Sequence, residues 1–300
     1  MNQIGAVVVT YNPDILAIDM LIHKIETQFS KILIVDNGSN NVSEIVRLTD
    51  KNIELIDLKE NRGIATALNV GISAFSERKF EWVATFDQDS LPSEDFVEHF
   101  NSTNKENAGV IGSYYIDRNW SDEMAKTMMS RFKEYDDTTF VITSGAFVNV
   151  AVWTQINGFD DGLFIDWVDW DFNERVTMAG YKVFRTNQLI LTHQVGEEFQ
   201  PNAVLKILLG LKHRAVRDHS ASRQYYIFRN RVIFYNRYRN SSKLAMLIKS
   251  VIAMRELLLL PASAHKILAA VQGTAAGFNS LKKTDAFFEK YKEKIYRELN

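Results

Sequence analysis

Glu81-Trp82-Val83-Ala84-Thr85-Phe86-Asp87-Gln88-Asp89-Ser90 is an apolar run that ends abruptly in two acids one residue apart. Trp82 to Phe86 is apolar, aromatic and β-branched over the length of a buried strand. Asp87 and Asp89 therefore fall at its carboxyl end, the edge at which open α/β sheets take their ligands. Two carboxylates this close repel each other. The repulsion is relieved when both face one hard cation, Mg2+ or Mn2+, that also touches a phosphate. An acidic turn would use the same residue types, because Asp and Ser are ordinary turn formers.

Working towards the amino terminus, Gly5-Ala6-Val7-Val8-Val9-Thr10 is a β-branched strand that must end at Tyr11-Asn12-Pro13. Ile15, Ile18, Leu21, Ile22 and Ile25 then recur at helical spacing. Lys31 to Val35 reads as a second strand, closed by the turn-rich Asp36-Asn37-Gly38-Ser39-Asn40-Asn41. A helix over 42–49, a strand over 53–58, a loop over 59–63 and a helix over 64–76 complete the approach to Trp82. This alternation predicts a parallel sheet with right-handed crossovers. No G-x-G-x-x-G follows the first strand and no G-x-x-x-x-G-K-[ST] occurs anywhere, which disfavours dinucleotide dehydrogenases and P-loop enzymes. Phosphate must be held by other means, and a metal on Asp87 and Asp89 is the candidate.

Towards the carboxyl terminus the pattern predicts a short helix over 93–101, a strand over 109–115 and a polar, mobile lid over 118–137. Residues 141–150 read as a strand interrupted by Thr143-Ser144-Gly145-Ala146, small residues that let another molecule come close. A second acid cluster spans Gly158-Phe159-Asp160-Asp161-Gly162-Leu163-Phe164-Ile165-Asp166-Trp167-Val168-Asp169-Trp170-Asp171. A helix is expected over 172–179, so Asp169 and Asp171 fall at or just before its start, where capping acids are favoured by the macrodipole. Trp167 and Trp170 offer flat surfaces of the kind that stack on sugar rings. A general base beside them is what transfer to a carbohydrate hydroxyl requires. Strands over 181–184 and 189–192 lead to His193, whose type and place suit a structural role as well as a metal ligand.

The 300 residues, 46% hydrophobic, suffice for one large domain or two small ones. The absence of Cys excludes disulfides, thiolate-held zinc and iron–sulfur sites, and it fits a reducing compartment. The first residues lack the basic and long apolar segments of a signal peptide, so export is not expected. The net charge of -2 hides an asymmetry: residues 1–200 carry 16 Lys/Arg and 31 Asp/Glu, and residues 201–300 carry 19 and 6. A basic carboxyl third suits a membrane surface or a phosphorylated substrate better than nucleic acid, and it could equally complement the acidic body. That third reads as helices over 203–214, 223–238, 243–260, 262–271 and 282–300. The most apolar of them, interrupted by Lys249, Arg255 and Glu256, is not a membrane span. It can lie in a membrane interface, dock on the catalytic domain or face a second subunit.

In order along the chain, Val9-Thr10-Tyr11-Asn12-Pro13, Val35-Asp36-Asn37-Gly38-Ser39, Asn61-Arg62-Gly63-Ile64-Ala65, Asp87-Gln88-Asp89, Gly158-Phe159-Asp160, Phe164-Ile165-Asp166, Val168-Asp169 and His193 together resemble a glycosyltransferase of family 2. Arg223-Gln224-Tyr225-Tyr226 with Arg229-Asn230 is similar to the bacterial branch that uses dTDP-L-rhamnose. The resemblance implies an α/β fold of GT-A type, a Rossmann-like mixed sheet, over residues 1–200, followed by a helical, basic region over 201–300. It implies that Thr10, Tyr11, Asn12, Asp36 and Arg62 form the base and ribose site, with Asp36 accepting from the pyrimidine N3–H. Asp89 would be the direct ligand of Mg2+ or Mn2+, Asp87 would lie nearer the ribose or a metal-bound water, and His193 would be a further ligand. Asp169 would be the catalytic base; Asp171 stands where the family often has Glu, and would hold the acceptor with Trp167 and Trp170. The partners implied are a dTDP-sugar donor, a lipid-linked oligosaccharide acceptor and the inner face of the cytoplasmic membrane, with no nucleic acid and with the carboxyl-terminal helices available for a homo-oligomer. A UDP-hexose donor and a non-catalytic nucleotide- or carbohydrate-binding module are the alternatives.

Overall fold

The structure is a computed structural model that describes residues 3–193, 198–199, 201–211, 216–239, 241–281 and 288–293. The chain forms two compact units, Met1–Phe164 with Val168–Val195, and Ile165–Trp167 with Gly196–Asn300. The first unit runs β1 (Ile4–Thr10), α1 (Ile15–Ile25), β2 (Lys31–Asp36), α2 (Val42–Ile45), β3 (Ile53–Asp57), α3 (Ile64–Glu77), β4 (Trp82–Asp87) and β5 (Leu91–Pro92). It continues through α4 (Phe96–Ser102), β6 (Ala108–Asp117), α5 (Asp122–Met129), β7 (Asp136–Asp137), β8 (Ala146–Asn149), α6 (Val150–Gln155), α7 (Val168–Met178) and β9 (Lys182–His193).

The strands form one sheet in the order β3-β2-β1-β4-β8-β6-β9-β5, with β7 also paired to β9. Its first four strands are parallel, as the alternation of strands and helices predicts. The register aligns Thr10 with Asp36, Asp36 with Asp57 and Val9 with Asp87, so the ends of these strands form one ledge. Beyond β4 the sheet is mixed, as the resemblance implies and unlike the parallel sheet that the alternation alone suggests. The chain re-enters at the carboxyl end of β4, where the Gly145 N–H donates to Thr85 O at 2.7 Å, and β8 must therefore run the opposite way. Gly145 adopts φ +70° at this entry, and a Cβ there would come within 2.5 Å of Ser113 Oγ.

The ledge stands on an apolar core. Phe147 of β8 stacks on Phe100 at 3.8 Å and on Phe96 at 5.2 Å between centroids, and Phe86, next to Asp87, packs against Phe29 and Phe96. Burying such rings fixes the strand ends that carry the acids.

Three other expectations change. The segment taken for a lid holds α5, capped by Ser121 Oγ accepting from the Met124 N–H, and β7. It is tied down where Asp136 accepts from Tyr114 Oη at 2.9 Å and from Arg185 at 2.6 Å. Helix α7 begins four residues earlier than its apolar pattern suggests, which puts Asp169 and Asp171 inside its first turn. The two short strands before His193 are one strand, β9, whose pairing with β6 shifts register between Ser113 and Tyr114.

The second unit contains β10 (Glu198–Phe199), α8 (Ala203–Leu208), β11 (Val216–Arg217), α9 (Ala221–Tyr238), α10 (Lys243–Met254) and α11 (Ser263–Ser280). Helices α9 and α11 approach closely because α11 presents glycine one turn apart. A Cβ on Gly273 would lie 2.1 Å from Tyr225 O, and one on Gly277 2.7 Å from Val232 Cβ. Most of the expected helix over 282–300 lies outside the described residues; residues 288–293 are helical, with Phe288 and Tyr291 buried.

Candidate active site

The loops after β1, β2 and β3 are bound to one another by side chains of their own turn residues. Asp36 is fully buried: Oδ1 accepts from Thr10 Oγ1 at 2.8 Å and from Ser39 Oγ, and Oδ2 accepts from the N–H groups of Gly38 and Ser39 at 3.1 and 2.8 Å. Both oxygens are thus engaged inside the fold. Asp36 and the equally buried Thr10 shape the loop from within, which corrects the expectation that they contact the base directly. Asn12, in the left-handed region at φ 46°, joins the next layer: its N–H donates to Ser39 Oγ at 2.7 Å and its Oδ1 accepts from Asn40 N–H at 2.8 Å. Asn37 Oδ1 accepts from the Arg62 N–H at 2.8 Å, and Asn37 Nδ2 donates to Asn61 Oδ1 at 3.0 Å. Among the groups facing outward on this rim are the Tyr11 ring, 47% exposed, and the Arg62 side chain, 54% exposed.

The turn after β4 is braced in the same way. The Tyr11 N–H donates to Gln88 Oε1 at 2.8 Å, so the residue between the two acids ties their turn to the end of β1. The Asp87 N–H donates to Ser144 Oγ at 3.0 Å, and Ser144 Oγ donates to Ser90 Oγ at 2.7 Å. Arg118 Nη2 donates to Asp89 O at 3.3 Å, which sets an exposed guanidinium beside the turn. The Leu91–Thr192 pairing brings the backbone of His193, the last residue of β9, alongside Ser90. The side chain of His193 lies outside the described residues.

The second acid cluster is anchored by Asn69 of α3. Its Nδ2 donates to Phe159 O at 2.9 Å and to Asp161 Oδ1 at 2.6 Å, and its Oδ1 accepts from the Phe159 N–H at 2.8 Å. The Ile64 N–H donates to Phe164 O at 2.8 Å, where the backbone turns through φ 64° and ψ -65°. At the start of α7, Asn173 Nδ2 donates both to Asp169 O at 2.7 Å and to Val141 O at 2.8 Å. Val141 lies three residues before Ser144, which holds the Asp87 turn. Asn173 thus links the backbone of Asp169 to the segment that braces the Asp87 turn, while Asp169 Oδ1 accepts from the Trp170 N–H at 2.9 Å.

Three neighbours of Asp169 have surroundings other than expected. Asp171 is 1% exposed, and its Oδ2 accepts from Arg175 Nε at 2.9 Å, so it is an interior ion pair and not an acceptor-facing acid. Trp170 is half-buried with one ring face stacked on Phe140 at 3.9 Å. Trp167 belongs to the second unit, where its Nε1 donates to Ile227 O at 3.0 Å and its ring packs against Phe234. The same α9 face holds the preceding residue: Arg223 makes a paired contact with the Asp166 carboxylate at 3.0 Å, and Asn230 Nδ2 donates to Ile165 O and Asp166 O. No local signal in the sequence marks Gln88, Asn173 or Arg118 as parts of this site, whereas Ser144 lies in the small-residue stretch noted above.

The donor set at the β4 turn suits a hard cation. Asp87 and Asp89, both half-buried, stand one residue apart in a turn braced by Gln88 and Ser144, and a divalent ion of this class is commonly held by one or two carboxylates plus substrate phosphates. Among the described residues no group of three His, Cys, Asp or Glu side chains forms a closed protein cage.

Residues 6–156, half of the chain, match the family described as Glycosyl transferase family 2. The chain is a family 2 glycosyltransferase. Across 263 residues, 84% of this transferase and 85% of its relative, it is 27% identical to the dTDP-rhamnosyl transferase RfbF of Shigella flexneri. Its fold is similar to that of GalNAc-T7 solved with UDP, GalNAc and Mn2+, with a TM-score of 0.57 at 11% identity, covering 88% of this chain and 53% of the other. The transferase thus spans about half the length of GalNAc-T7. It is also similar to S. aureus TarS residues 1–349 solved in complex with UDP-GlcNAc, with a TM-score of 0.51 at 14% identity, covering 93% and 92%. The mixed sheet and the helical carboxyl-terminal region are those of a GT-A glycosyltransferase.

Proposed function

We propose that the transferase moves L-rhamnose from dTDP-L-rhamnose to a hydroxyl of a lipid-linked oligosaccharide, inverting the anomeric centre, at the inner face of the cytoplasmic membrane. The observation that carries this reading is the run of hydrogen bonds from Asp169 through Asn173 and residues 141–144 to the Asp87/Asp89 turn, in a chain related over most of its length to a dTDP-rhamnosyl transferase. Residues 1–200 then act as the catalytic domain, and 201–300 meet acceptor and membrane.

Tyr11 and Arg62 supply the exposed rim for the nucleoside, with Asn12, Thr10 and Asp36 holding its shape. Asp89 and Asp87, with His193 as a further ligand, would hold Mg2+ or Mn2+. When bound, the cation stabilises the charge that grows on the departing diphosphate, so no general acid is needed there. Arg118 adds a guanidinium on the same side. Asp169 takes the proton of the acceptor hydroxyl as its oxygen attacks the anomeric carbon from the face opposite the diphosphate. One C–O bond forms as the other breaks, through an oxocarbenium-like transition state.

The membrane assignment is supported by α10, whose Leu244, Leu247, Ile248, Val251 and Ile252 are all exposed at i, i+3, i+4 spacing in a basic region. No helix of the described residues is long and apolar enough to cross a membrane. A homo-oligomer would bury the same stripe. A transfer screen over dTDP- and UDP-sugars with Mg2+ or Mn2+ tests the donor. Transfer from dTDP-L-rhamnose with an inverted product anomer is expected, and an inert dTDP-L-rhamnose beside an active UDP-hexose would overturn it. Nucleotide binding with no transfer from any donor would indicate a binding module.

A further inference from the structure

The second unit contains a cavity of about 370 Å3 that the transfer step above does not use. Its size lies in the range of small-molecule sites, about 300–1,000 Å3. Its lining divides into two chemistries. Arg217 of β11, His219 just before α9 and Arg231 of α9 bring nitrogen donors to one part of it. Gln224, 4% exposed, adds an amide. Phe228, Leu257 and Leu260, all buried, form an apolar wall. Gln224, Phe228 and Arg231 fall at i, i+4 and i+7, so one face of α9 carries both characters. Glu256 also lines the cavity. Burial, with Arg223 and Arg217 nearby and against the opposing pull of Asp166 and Asp218, holds the His219 imidazole below its ordinary pKa.

A free sugar would leave the apolar wall unmatched, and a bare anion would leave it wet. The combination fits a molecule with a phosphate at one end and hydrocarbon at the other, since guanidinium forks match phosphate oxygens and the wall takes methylene and methyl groups. The wall residues Leu257 and Leu260 directly follow α10, the helix with the exposed apolar stripe. We propose that this cavity is a subsite for a phosphorylated lipid, with its phosphate or diphosphate on Arg217 and Arg231 and its first carbons on Phe228, Leu257 and Leu260. The assignment rests on the reading of the acceptor as lipid-linked and identifies where its phosphate end is held.

The test is calorimetric titration of the full chain with farnesyl diphosphate, inorganic pyrophosphate and farnesol, each with and without dTDP. Farnesyl diphosphate is expected to bind saturably, at least about tenfold tighter than either fragment, and to be undisturbed by dTDP. Arg217→Ala, at an exposed position that leaves the melting temperature unchanged, should weaken it at least about fivefold. Ala253→Trp, which fills the cavity from a half-buried position, should abolish it while dTDP binding persists. Absence of saturable binding, affinity indifferent to both variants, or displacement by dTDP would overturn the proposal. Because no turnover is read, an inert dTDP-L-rhamnose would sink the donor assignment without touching this result, and lost farnesyl diphosphate binding would leave rhamnosyl transfer to a soluble acceptor intact.

Discussion

Asp171→Asn separates a structural acid from a catalytic one two residues away. The Asp171 and Arg175 side chains are 2% and 0% exposed, and Arg175 also donates through Nη1 to Ile156 O and Gly158 O, both at 2.7 Å. The guanidinium thus pins α7 to the end of α6 and to the turn that opens the second acid cluster. Removing the carboxylate charge leaves a buried cation uncompensated, which costs about 3–5 kcal/mol. With a urea slope of about 2–3 kcal/mol/M, the unfolding midpoint should fall by about 1–2.5 M. Trp153 and Trp170 fluorescence can follow it, since both rings pack in this region. At a temperature where the variant is folded, its acceptor KM should stay within about twofold of the parent value, because the group it replaces does not face solvent. A double change to Asp171→Leu with Arg175→Met should regain much of the lost stability, since a buried pair replaced by apolar groups of similar volume is often neutral. An Asp171→Asn protein with an unshifted midpoint and a strongly raised acceptor KM would refute the reasoning and return this acid to the acceptor site.

Asp136 is partly desolvated, which by itself would raise its pKa, but hydrogen bonds from Arg185, Tyr114 and Lys133 outweigh this and hold it below the ordinary value. Its contribution to stability is therefore present above the unfolded-state pKa of about 3.9 and is lost as pH falls through the lower folded value, and Asp136→Asn should flatten the urea midpoint against pH below about pH 4. Gly273→Ala puts a Cβ 2.1 Å from Tyr225 O and should cost about 1–3 kcal/mol in thermal unfolding of the second unit; an unchanged melt would contradict the α9–α11 approach. Stabilisation by dTDP should reach about 2.7 kcal/mol at a hundredfold excess over Kd with Mn2+, and should largely vanish with a chelator or in Asp89→Asn, as read by thermal shift.

The parallel half of the sheet was legible because four β-branched runs alternate with helix-period segments, and Asp87 does end its strand. What could not be read was which turn residues spend their polar groups on one another. Asp36 looks like an open acceptor until Gly38, Ser39 and Thr10 are seen folding back onto it. Other signals were present and passed over: Asp171 and Arg175 stand at the i, i+4 spacing of a helical ion pair, and Ser121 followed by Asp122 and Glu123 is a helix start inside the supposed lid. The interrupted strand before His193 is a bulged one, and its polar residues Arg185 to Gln188 mimic a loop because pairing shifts there. The link from Asp169 to Asp87 runs through Asn173 and Ser144, far apart in the chain, and no local pattern announces it.

The most direct measurement is single-turnover transfer by Asp169→Asn alongside its affinity for dTDP. If Asp169 is the base, the rate falls by about 10²–10⁴-fold while dTDP affinity is unchanged. A variant that retains most of the parent rate would contradict the gathering of these acids around one reacting centre.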